Sequence, residues 1–409
     1  MHQYIQDFHK YEDGQEVTIK GWVVKIRNSK TNHFFDFRDG TGFTQCIVSM
    51  DAVGEEAFEE AKRFTLETAV AFTGALVKNE KSLGGYEIQV TSFEVYQIGE
   101  GFPITQADNE HGPKFLEDHR HLWLRRRRQW AIMRVRNELQ MGIHDFFQKE
   151  GFVQMDAPLL TGNACEGTTD LFETEFFGDP AYLSQSGQLY GEAMAMAMNK
   201  IYTFGPTFRS EKSNTPRHLA EFWMIEPEMA FFTNEDNMET IQQFVKHVIA
   251  RALKNCATEL DVLERDTASL QLVVDQEFPK VLYTEAVKIL RGEKLVNGKN
   301  AIEVQEADLA AAKARIEEAQ AEIDEMQAAI KKGIKKGVRR GYERKIPVLQ
   351  AEIKDCEEQV RNIPQWIDSA KNFKDGEDLG GSDETVLTRV FDAPVMVYNW
   401  PTKIKAFYM

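Results

Sequence analysis

Short runs of alternating apolar and polar residues dominate the first hundred positions of the chain. Such alternation predicts β-strands, because it turns one face of each strand inward and the other toward water. Turn signals at Asp39-Gly40 and Gly84-Gly85 separate the runs, and a helical segment is predicted near Gly54 to Arg63. The five runs are EVTIKGWVVKIR, HFFDFRD, GFTQCIVS, AVAFTGALVKN and YEIQVTSFEVYQIG.

Five strands with one helix between the third and fourth predict a small closed barrel. The OB-fold is the commonest barrel of this kind that binds single-stranded nucleic acid, and an SH3-like barrel or a simple meander is the alternative. Phe34, Phe35 and Phe37 surround Asp36 on the second run. Phe34 is therefore predicted to face away from Phe35 and to offer an exposed ring for stacking.

The spacing of apolar residues changes to a helical period after residue 128. Residues 129–150 predict an amphipathic helix that ends at Gly151, and the strand GFVQMDAPLL follows. Strand-like and helical segments then alternate: YLSQSGQLY, a helix over 192–200, a strand hairpin over 204–231 and a helix over 234–255. This order predicts an α+β fold with an antiparallel sheet backed by helices.

Residues 291–362 are rich in Ala, Glu, Lys and Gln and carry apolar residues every seven positions. Leu309, Ile316, Ile323 and Ile330 form one series, and Ile346, Ile353 and Val360 form another. Two heptad arms joined by GIKKGVRRGYERK predict an antiparallel helical hairpin. The segment between the arms is basic, and we interpret it as a turn whose charges are solvated.

Composition narrows the class of protein. A chain of 409 residues predicts two or three domains, and its net charge of −16 argues against nucleic-acid binding except through local basic patches such as Arg125 to Arg128. Four widely spaced cysteines predict neither a zinc site nor a disulfide framework. With no signal peptide and no apolar run long enough for a membrane span, we expect a cytoplasmic protein.

The hairpin FGPTFRSEKSNTPRHLAEFWMIEPEMAF concentrates nucleotide-binding chemistry. Arg209 can donate two hydrogen bonds to an anionic oxygen, and Glu211 can accept a hydrogen bond from an exocyclic amine. Phe222 can stack on a base. Arg217 and His218, in the loop between the strands, can reach a distal phosphate. A charged β-hairpin without function is the alternative, but five such residues in register favour a nucleotide site.

This hairpin resembles motif 2 of the class II aminoacyl-tRNA synthetases, in the asparaginyl form of subclass IIb. The resemblance implies that Arg209 bridges the amino-acid carboxylate and the ATP α-phosphate, Glu211 reads the adenine amine and Phe222 stacks on adenine. Arg217 and His218 would hold the γ-phosphate side. It further implies ATP-dependent ligation of asparagine to its tRNA through an asparaginyl-adenylate, with Arg209 and Glu211 as the catalytic residues.

The resemblance extends to an amino-acid pocket and to an anticodon site. Glu166 matches the loop that closes over the amino acid, and Ser186 and Gln188 match the Ser-x-Gln that lines the pocket. Where aspartyl enzymes carry a Lys, this chain has Gly191 and Glu192, which favours asparagine over aspartate. Glu226 and Glu228 point to one face and are expected to bind the ammonium group or Mg²⁺, and a pair of plain surface carboxylates is the alternative. Arg27, Phe34 and Gln45 match anticodon contacts of the first domain.

The family also has a dimer interface built by motif 1, which corresponds here to residues 129–160, and a plain core helix is the alternative.

The chain ends before the family's motif 3, so we expect a truncated synthetase whose Mg²⁺ ligands lie beyond Met409. Aspartyl specificity, an inactive RNA-binding relative and, least favoured, a tRNA-independent asparagine synthetase are the alternatives. The basic turn of the insertion could also contact tRNA. The expected domains are 1–105 for anticodon binding, 106–128 as a hinge, 129–290 and 363–409 for catalysis, and 291–362 as the insertion.

Overall fold

The computed structural model describes residues 2–104, 111–162, 171–212 and 218–405. It divides the chain into two compact units, Met1–Arg134 and Val135–Met409. Along the described ranges, no helix is both long enough and apolar enough to cross a membrane.

The first unit is a closed five-stranded barrel, as the sequence predicts. Its strand order is β1-β2-β3-β5-β4, with β3 and β5 parallel and the remaining neighbours antiparallel. Phe35 and Phe37 are fully buried in its core, whereas Phe34 is half-buried on the other face of the same strand. The elements are β1 (Glu16–Asn28), β2 (Asn32–Arg38), β3 (Phe43–Ser49), α1 (Met50–Val53), α2 (Glu55–Ala61), β4 (Ala69–Lys78) and β5 (Tyr86–Gln97), then α3 (Pro113–Asp118) and α4 (Arg120–Trp123).

A long helix, α5 (Arg127–Lys149), leads into the second unit. Phe146 and Phe147 on its apolar side pack with Phe152 and Tyr202, and the Tyr202 hydroxyl lies 2.9 Å from His144 Nδ1. This packing holds the helix against one face of a three-stranded sheet. The elements that follow are β6 (Val153–Gln154), β7 (Leu160–Thr161), β8 (Glu173–Phe176), β9 (Asp179–Leu183), α6 (Gln188–Met198), β10 (Lys200–Phe208) and β11 (Glu221–Met229).

The sheet departs from the expected pattern at two places. Its order is β11-β10-β6, and β6 runs parallel to β10, so the sheet is mixed rather than wholly antiparallel. Residues 188–190, expected in a strand, form the first turn of α6, whose apolar residues cover the sheet at helical spacing. Helix α7 (Asn234–Asn255) matches the predicted bounds and begins with a capping box between Thr233 and Asp236.

The insertion forms a helical hairpin, and its turn is shorter than expected. Helix α11 (Ala301–Lys332) and helix α12 (Lys336–Asn372) are joined by residues 333–335 only, so most of the basic segment is helical. Ala319, Ile323 and Leu349 form the buried contact between the arms. Before and after the hairpin lie α8 (Ala257–Val262), α9 (Ala268–Asp275), β12 (Lys280–Leu282), α10 (Tyr283–Leu290), α13 (Gly381–Thr388) and β13 (Met396–Tyr398).

Candidate active site

One face of the β10–β11 hairpin carries most of the predicted pocket residues. The register pairs Thr203 with Glu226 and Thr207 with Phe222. Residues directly opposite each other in an antiparallel pair share a face, and alternation along β11 adds Glu228 to that face. At about 3.4 Å per residue, Phe222 and Glu228 lie about 20 Å apart along the strand. An aromatic ring and two carboxylates therefore line one elongated surface.

Arg209 and Phe222 lie together at the Phe222 end of this surface. The main-chain N–H of Arg209 donates to the carbonyl of Ala220 over 2.9 Å, which extends the strand pairing past β10. The Arg209 guanidinium carbon is 5.5 Å from the centroid of the Phe222 ring, and both side chains are half-buried. This cation–π arrangement keeps a positive charge next to a partly accessible ring face.

The other predicted nucleotide contacts lie in sequence between the two strands. Glu211 precedes residues 213–217 and His218 follows them, and both side chains are exposed. Arg217 lies outside the described residues, as does Glu166 of the amino-acid pocket. The described part of the hairpin thus brings Arg209 and Phe222 together, while Glu211 and His218 are exposed on either side of residues 213–217.

Glu226 accepts hydrogen bonds from three donors, two of them just before α6 and one on β10. The Ser186 hydroxyl and the Thr203 hydroxyl donate to its two carboxylate oxygens, the latter over 3.1 Å, and the Gly187 N–H donates over 2.9 Å. Ser186 Oγ also accepts from the Gln188 N–H over 3.1 Å. The Ser-x-Gln segment is therefore fastened to the sheet through Glu226, and Ser186 itself is buried.

Two glycines let α6 lie close to this carboxylate face. A Cβ on Gly187 would come within 2.7 Å of Thr203 Oγ1 and 3.1 Å of a Glu226 carboxylate oxygen. A Cβ on Gly191 would meet Glu228 Cγ at 3.2 Å. The first distance is too short for any real contact, so a side chain at Gly187 would displace the helix or the carboxylate.

Glu228 differs from Glu226 in the surroundings of its carboxylate. Among the residues that the structure describes, its side chain makes no hydrogen bond or ion pair. Burial, together with the nearby carboxylates of Glu192 and Glu226, raises the pKa of Glu228 from 4.5 to about 7. Gln188 Nε2 donates to Glu192 Oε1 over 3.0 Å at the edge of the same cluster. A cationic or amide-bearing ligand would satisfy these carboxylates.

The predicted anticodon residues also meet, on the outer face of the barrel. Asp36 Oδ1 accepts from Arg27 Nη2 and from Gln45 Nε2, each over 3.3 Å, and the Arg27 guanidinium lies 5.7 Å from the Phe34 ring centroid. Arg27 and Gln45 line an open cavity of 440 Å³ that Lys81 also lines. The barrel thus presents cations, an amide and a ring on one face.

Several residues of these sites escape sequence reasoning. Thr203 and Gly187 act through Glu226, and only the strand register reveals them. Asp36 is two residues from Phe34 on the same strand and so shares its face, which the sequence pattern alone could have shown. Lys81 and Arg127 reach the barrel cavity from distant parts of the chain, which no local signal shows.

Comparisons with known proteins agree with this geometry. Residues 113–409 match the family model described as tRNA synthetases class II (D, K and N), and residues 17–96 match the OB-fold nucleic acid binding domain. The asparagine–tRNA ligase of Symbiobacterium thermophilum is 42% identical over 398 residues, which cover 97% of this chain and 74% of that protein. The asparagine–tRNA ligase of Koribacter versatilis is 39% identical over the same shares.

A solved structure of an asparaginyl-tRNA synthetase also matches this chain. Asparaginyl-tRNA synthetase from Pyrococcus horikoshii, crystallised with asparaginyl-adenylate, superposes with a TM-score of 0.74 at 31% identity and is matched over 100% of this chain and 76% of its own. The carboxylate face, the Arg209–Phe222 pair and the barrel lie within the matched regions. The chain therefore belongs to the class II tRNA synthetases and, within them, to the asparagine–tRNA ligase family.

Proposed function

We propose that this protein joins asparagine to ATP as an asparaginyl-adenylate and then transfers the asparaginyl group to tRNA. The observation that carries the proposal is the polarity of the β10–β11 face. A cation and an aromatic ring, Arg209 and Phe222, occupy one end, and the carboxylates of Glu226 and Glu228 occupy the other. An aminoacyl-adenylate has the matching polarity, since its base and phosphate lie at one end and its ammonium group at the other.

At the nucleotide end, catalysis consists of positioning and charge neutralisation. An asparagine carboxylate oxygen attacks the α-phosphorus of ATP, a new P–O bond forms, and the bond to pyrophosphate breaks. Arg209 is proposed to bind the α-phosphate, where negative charge must be stabilised as this occurs. Phe222 stacks on the adenine, Glu211 accepts from its amine, and Arg217 and His218 bind the distal phosphates in this proposal.

At the amino-acid end, Glu228 is proposed to bind the ammonium group. Its half-buried carboxyl carries a raised pKa, and a cation beside it would stabilise the ionised form. Glu192 is proposed to accept a hydrogen bond from the carboxamide and to repel the carboxylate of aspartate. Ser186, Gln188 and Glu226 keep the start of α6 in place, and Glu166 is proposed to close the pocket.

Mg²⁺ is proposed to accompany ATP, because the phosphates carry more negative charge than one arginine offsets. Both oxygens of Glu226 accept hydrogen bonds from protein donors, and no three His, Cys, Asp or Glu side chains of the described ranges are grouped to hold a metal. We therefore assign no step to the metal.

The barrel is proposed to bind the anticodon of the asparagine-specific tRNA. Phe34 would stack on a base, Gln45 would read a base edge, and Arg27 would contact a phosphate or a base. Arg27 and Gln45 could exchange their long hydrogen bonds to Asp36 for hydrogen bonds to RNA at little cost.

We also propose a homodimer that forms through the region resembling motif 1, in the cytoplasm. Met141 on α5 and Leu159 and Leu160 after β6 are exposed apolar side chains, which a second copy would cover. Sedimentation equilibrium tests this: the protein should have twice the chain mass, and a Met141→Glu variant should shift it toward the monomer.

Amino-acid-dependent exchange of pyrophosphate into ATP tests the activity. In the natural full-length protein, asparagine should support exchange and aspartate should not. An Arg209→Gln variant should lose about 100-fold or more in rate, as removal of one charge-stabilising donor does elsewhere. Lys212→Gln removes a neighbouring exposed cation and should have little effect. Exchange with aspartate would favour aspartyl specificity, and none with either amino acid would favour an inactive RNA-binding relative.

A further inference from the structure

Positive charge is concentrated at one end of the α11–α12 hairpin. Residues 331–345, which we call the basic tip, contain eight Lys or Arg and one acidic residue, Glu343, in a chain whose net charge is −16. The adjoining stem has the opposite sign, since residues 301–330 contain eight Asp or Glu and two Lys or Arg. This segregation separates the tip electrostatically from the rest of its own arm.

Most of the tip cations are available to a partner. Arg339 pairs with Glu343 over 2.8 Å, and Lys345 pairs with Glu322 of the stem over 2.8 Å. The other six are exposed and form no ion pair with any residue in the described ranges: Lys331, Lys332, Lys335, Lys336, Arg340 and Arg344.

The helical conformation orders these charges. Because α12 begins at Lys336, Lys336, Arg340 and Arg344 lie four residues apart and so form a stripe on one helical face. At 1.5 Å rise per residue, successive charges are about 6 Å apart along the axis. A solvated turn, the interpretation favoured by the sequence, would not hold three cations in a row.

This arrangement is unfavourable for the isolated helix. Like charges four residues apart repel each other, and the first turn of α12 carries no acidic residue to complement the helix dipole. Gly337 and Gly341, within the same turns, further lower helix propensity, and a Cβ on either would meet nothing within 4 Å. A polyanion along the stripe would relieve the repulsion and could approach the backbone closely.

The stem carries the tip away from the body of the second unit. Helix α11 has 32 residues, which corresponds to about 48 Å. The arms are joined by an apolar seam and by the paired contact of Arg315 with Glu352, whose Nε–Oε1 distance is 2.7 Å. The hairpin is thus a stiffened arm with its unpaired cations at the far end.

We propose that the basic tip binds the phosphate backbone of the tRNA that this protein aminoacylates. The inference rests on the proposed function for the choice of RNA as the polyanion. An anionic membrane surface fits less well, because interfacial helices bury a broad apolar face. On the tip, Val338 is the one large apolar side chain of the described residues that is clearly exposed, at 46%.

A triple variant, Lys336→Gln, Arg340→Gln and Arg344→Gln, tests the proposal in the natural full-length protein. Gln keeps helix propensity, so the arm should retain its circular dichroism signal. The matched control is Lys313→Gln, Lys354→Gln and Arg361→Gln, which removes three exposed stem cations. Binding of asparagine tRNA is measured by fluorescence anisotropy over a range of salt concentrations.

The tip variant should bind tRNA at least about tenfold more weakly at low salt, and the slope of log affinity against log salt should decrease by about 2 to 3. The stem control should stay within about threefold of the unchanged protein. Equal losses in both variants, or an unchanged slope in the tip variant, would overturn the proposal. So would tip-dependent binding to phosphatidylserine-containing vesicles with tRNA binding unchanged.

Asparagine-dependent pyrophosphate exchange, measured in parallel, separates this proposal from the proposed function. The exchange requires the carboxylate face and Arg209 but not the hairpin arm, so both variants should exchange at the normal rate. Absence of exchange in the unchanged protein would refute the activity, whereas a tip-specific loss of tRNA affinity would still support the binding surface.

Discussion

A Glu228→Gln variant tests the electrostatics of the carboxylate face most directly. Glu228 is half-buried beside Glu192 and Glu226, and its pKa is raised from 4.5 to about 7 chiefly by burial. The substitution keeps the size and hydrogen-bonding capacity of the side chain and removes its titration. Any property that depends on the ionisation of Glu228 should therefore lose its pH dependence in the variant.

The effect on stability has a definite sign. Between pH 4.5 and about 7, the folded protein retains a proton on Glu228 that the unfolded chain releases, so the free energy of unfolding falls as pH rises through this window. Below it, the raised pKa has no effect. At about 1.4 kcal/mol per pKa unit the upper limit is about 3 kcal/mol, and partial exposure of the side chain reduces this to roughly 2 kcal/mol.

Asparagine binding should have the opposite pH dependence to the free energy of unfolding and become stronger as pH rises. If the asparagine ammonium group pairs with ionised Glu228, affinity depends on the ionised fraction, which falls about tenfold between pH 8 and pH 6 for a pKa near 7. Isothermal titration calorimetry of the full-length protein should therefore show about tenfold weaker asparagine binding at pH 6. Titrations in buffers of different ionisation enthalpy should show proton release near pH 7.

Three variants make the result decisive. Glu228→Gln should bind asparagine weakly and with little pH dependence. Glu192→Gln removes a neighbouring negative charge, so it should shift the pH profile toward lower pH. Glu221→Gln, an exposed residue of the same strand, should leave the profile unchanged. The reasoning fails if the unchanged protein binds equally at both pH values, or if Glu228→Gln retains the original profile.

Three further predictions concern packing and the barrel face. Gly187→Ala should destabilise the second unit by about 1–3 kcal/mol in urea unfolding because its Cβ would overlap Thr203, whereas Gly191→Ala, with longer contacts, should cost less; equal costs would contradict the packing. Phe34→Ala should weaken tRNA binding by about 1–3 kcal/mol in anisotropy titrations through lost base stacking, and Tyr96→Ala, an exposed ring elsewhere on the barrel, should not; parallel losses would refute the stacking role. Ile323→Ala should cost the hairpin about 2–5 kcal/mol, seen as faster amide exchange in α11 and α12, while pyrophosphate exchange stays normal; protection unchanged in the arm would show that the seam is not its core.

Local patterns predict the secondary structure of this protein well where burial follows a simple period. Alternation identifies the five barrel strands, and the apolar period identifies α7 with its observed bounds. The prediction fails near Gln188, because YLSQSGQLY has no helical period long enough to show that α6 begins there. It also fails for the hairpin turn, where glycines and charges suggested a loop but three residues suffice to reverse the chain.

By itself, the sequence determined the barrel, the helical hairpin and the set of residues able to bind a nucleotide and an amino acid, because these depend on residue type and on neighbours a few positions away. Only the tertiary structure decided what those residues do. Glu226 is occupied by donors about forty positions earlier in the chain, and Glu228 is left half-buried among like charges. Burial, register and the distances between charges arise from long-range packing, which a linear pattern does not specify.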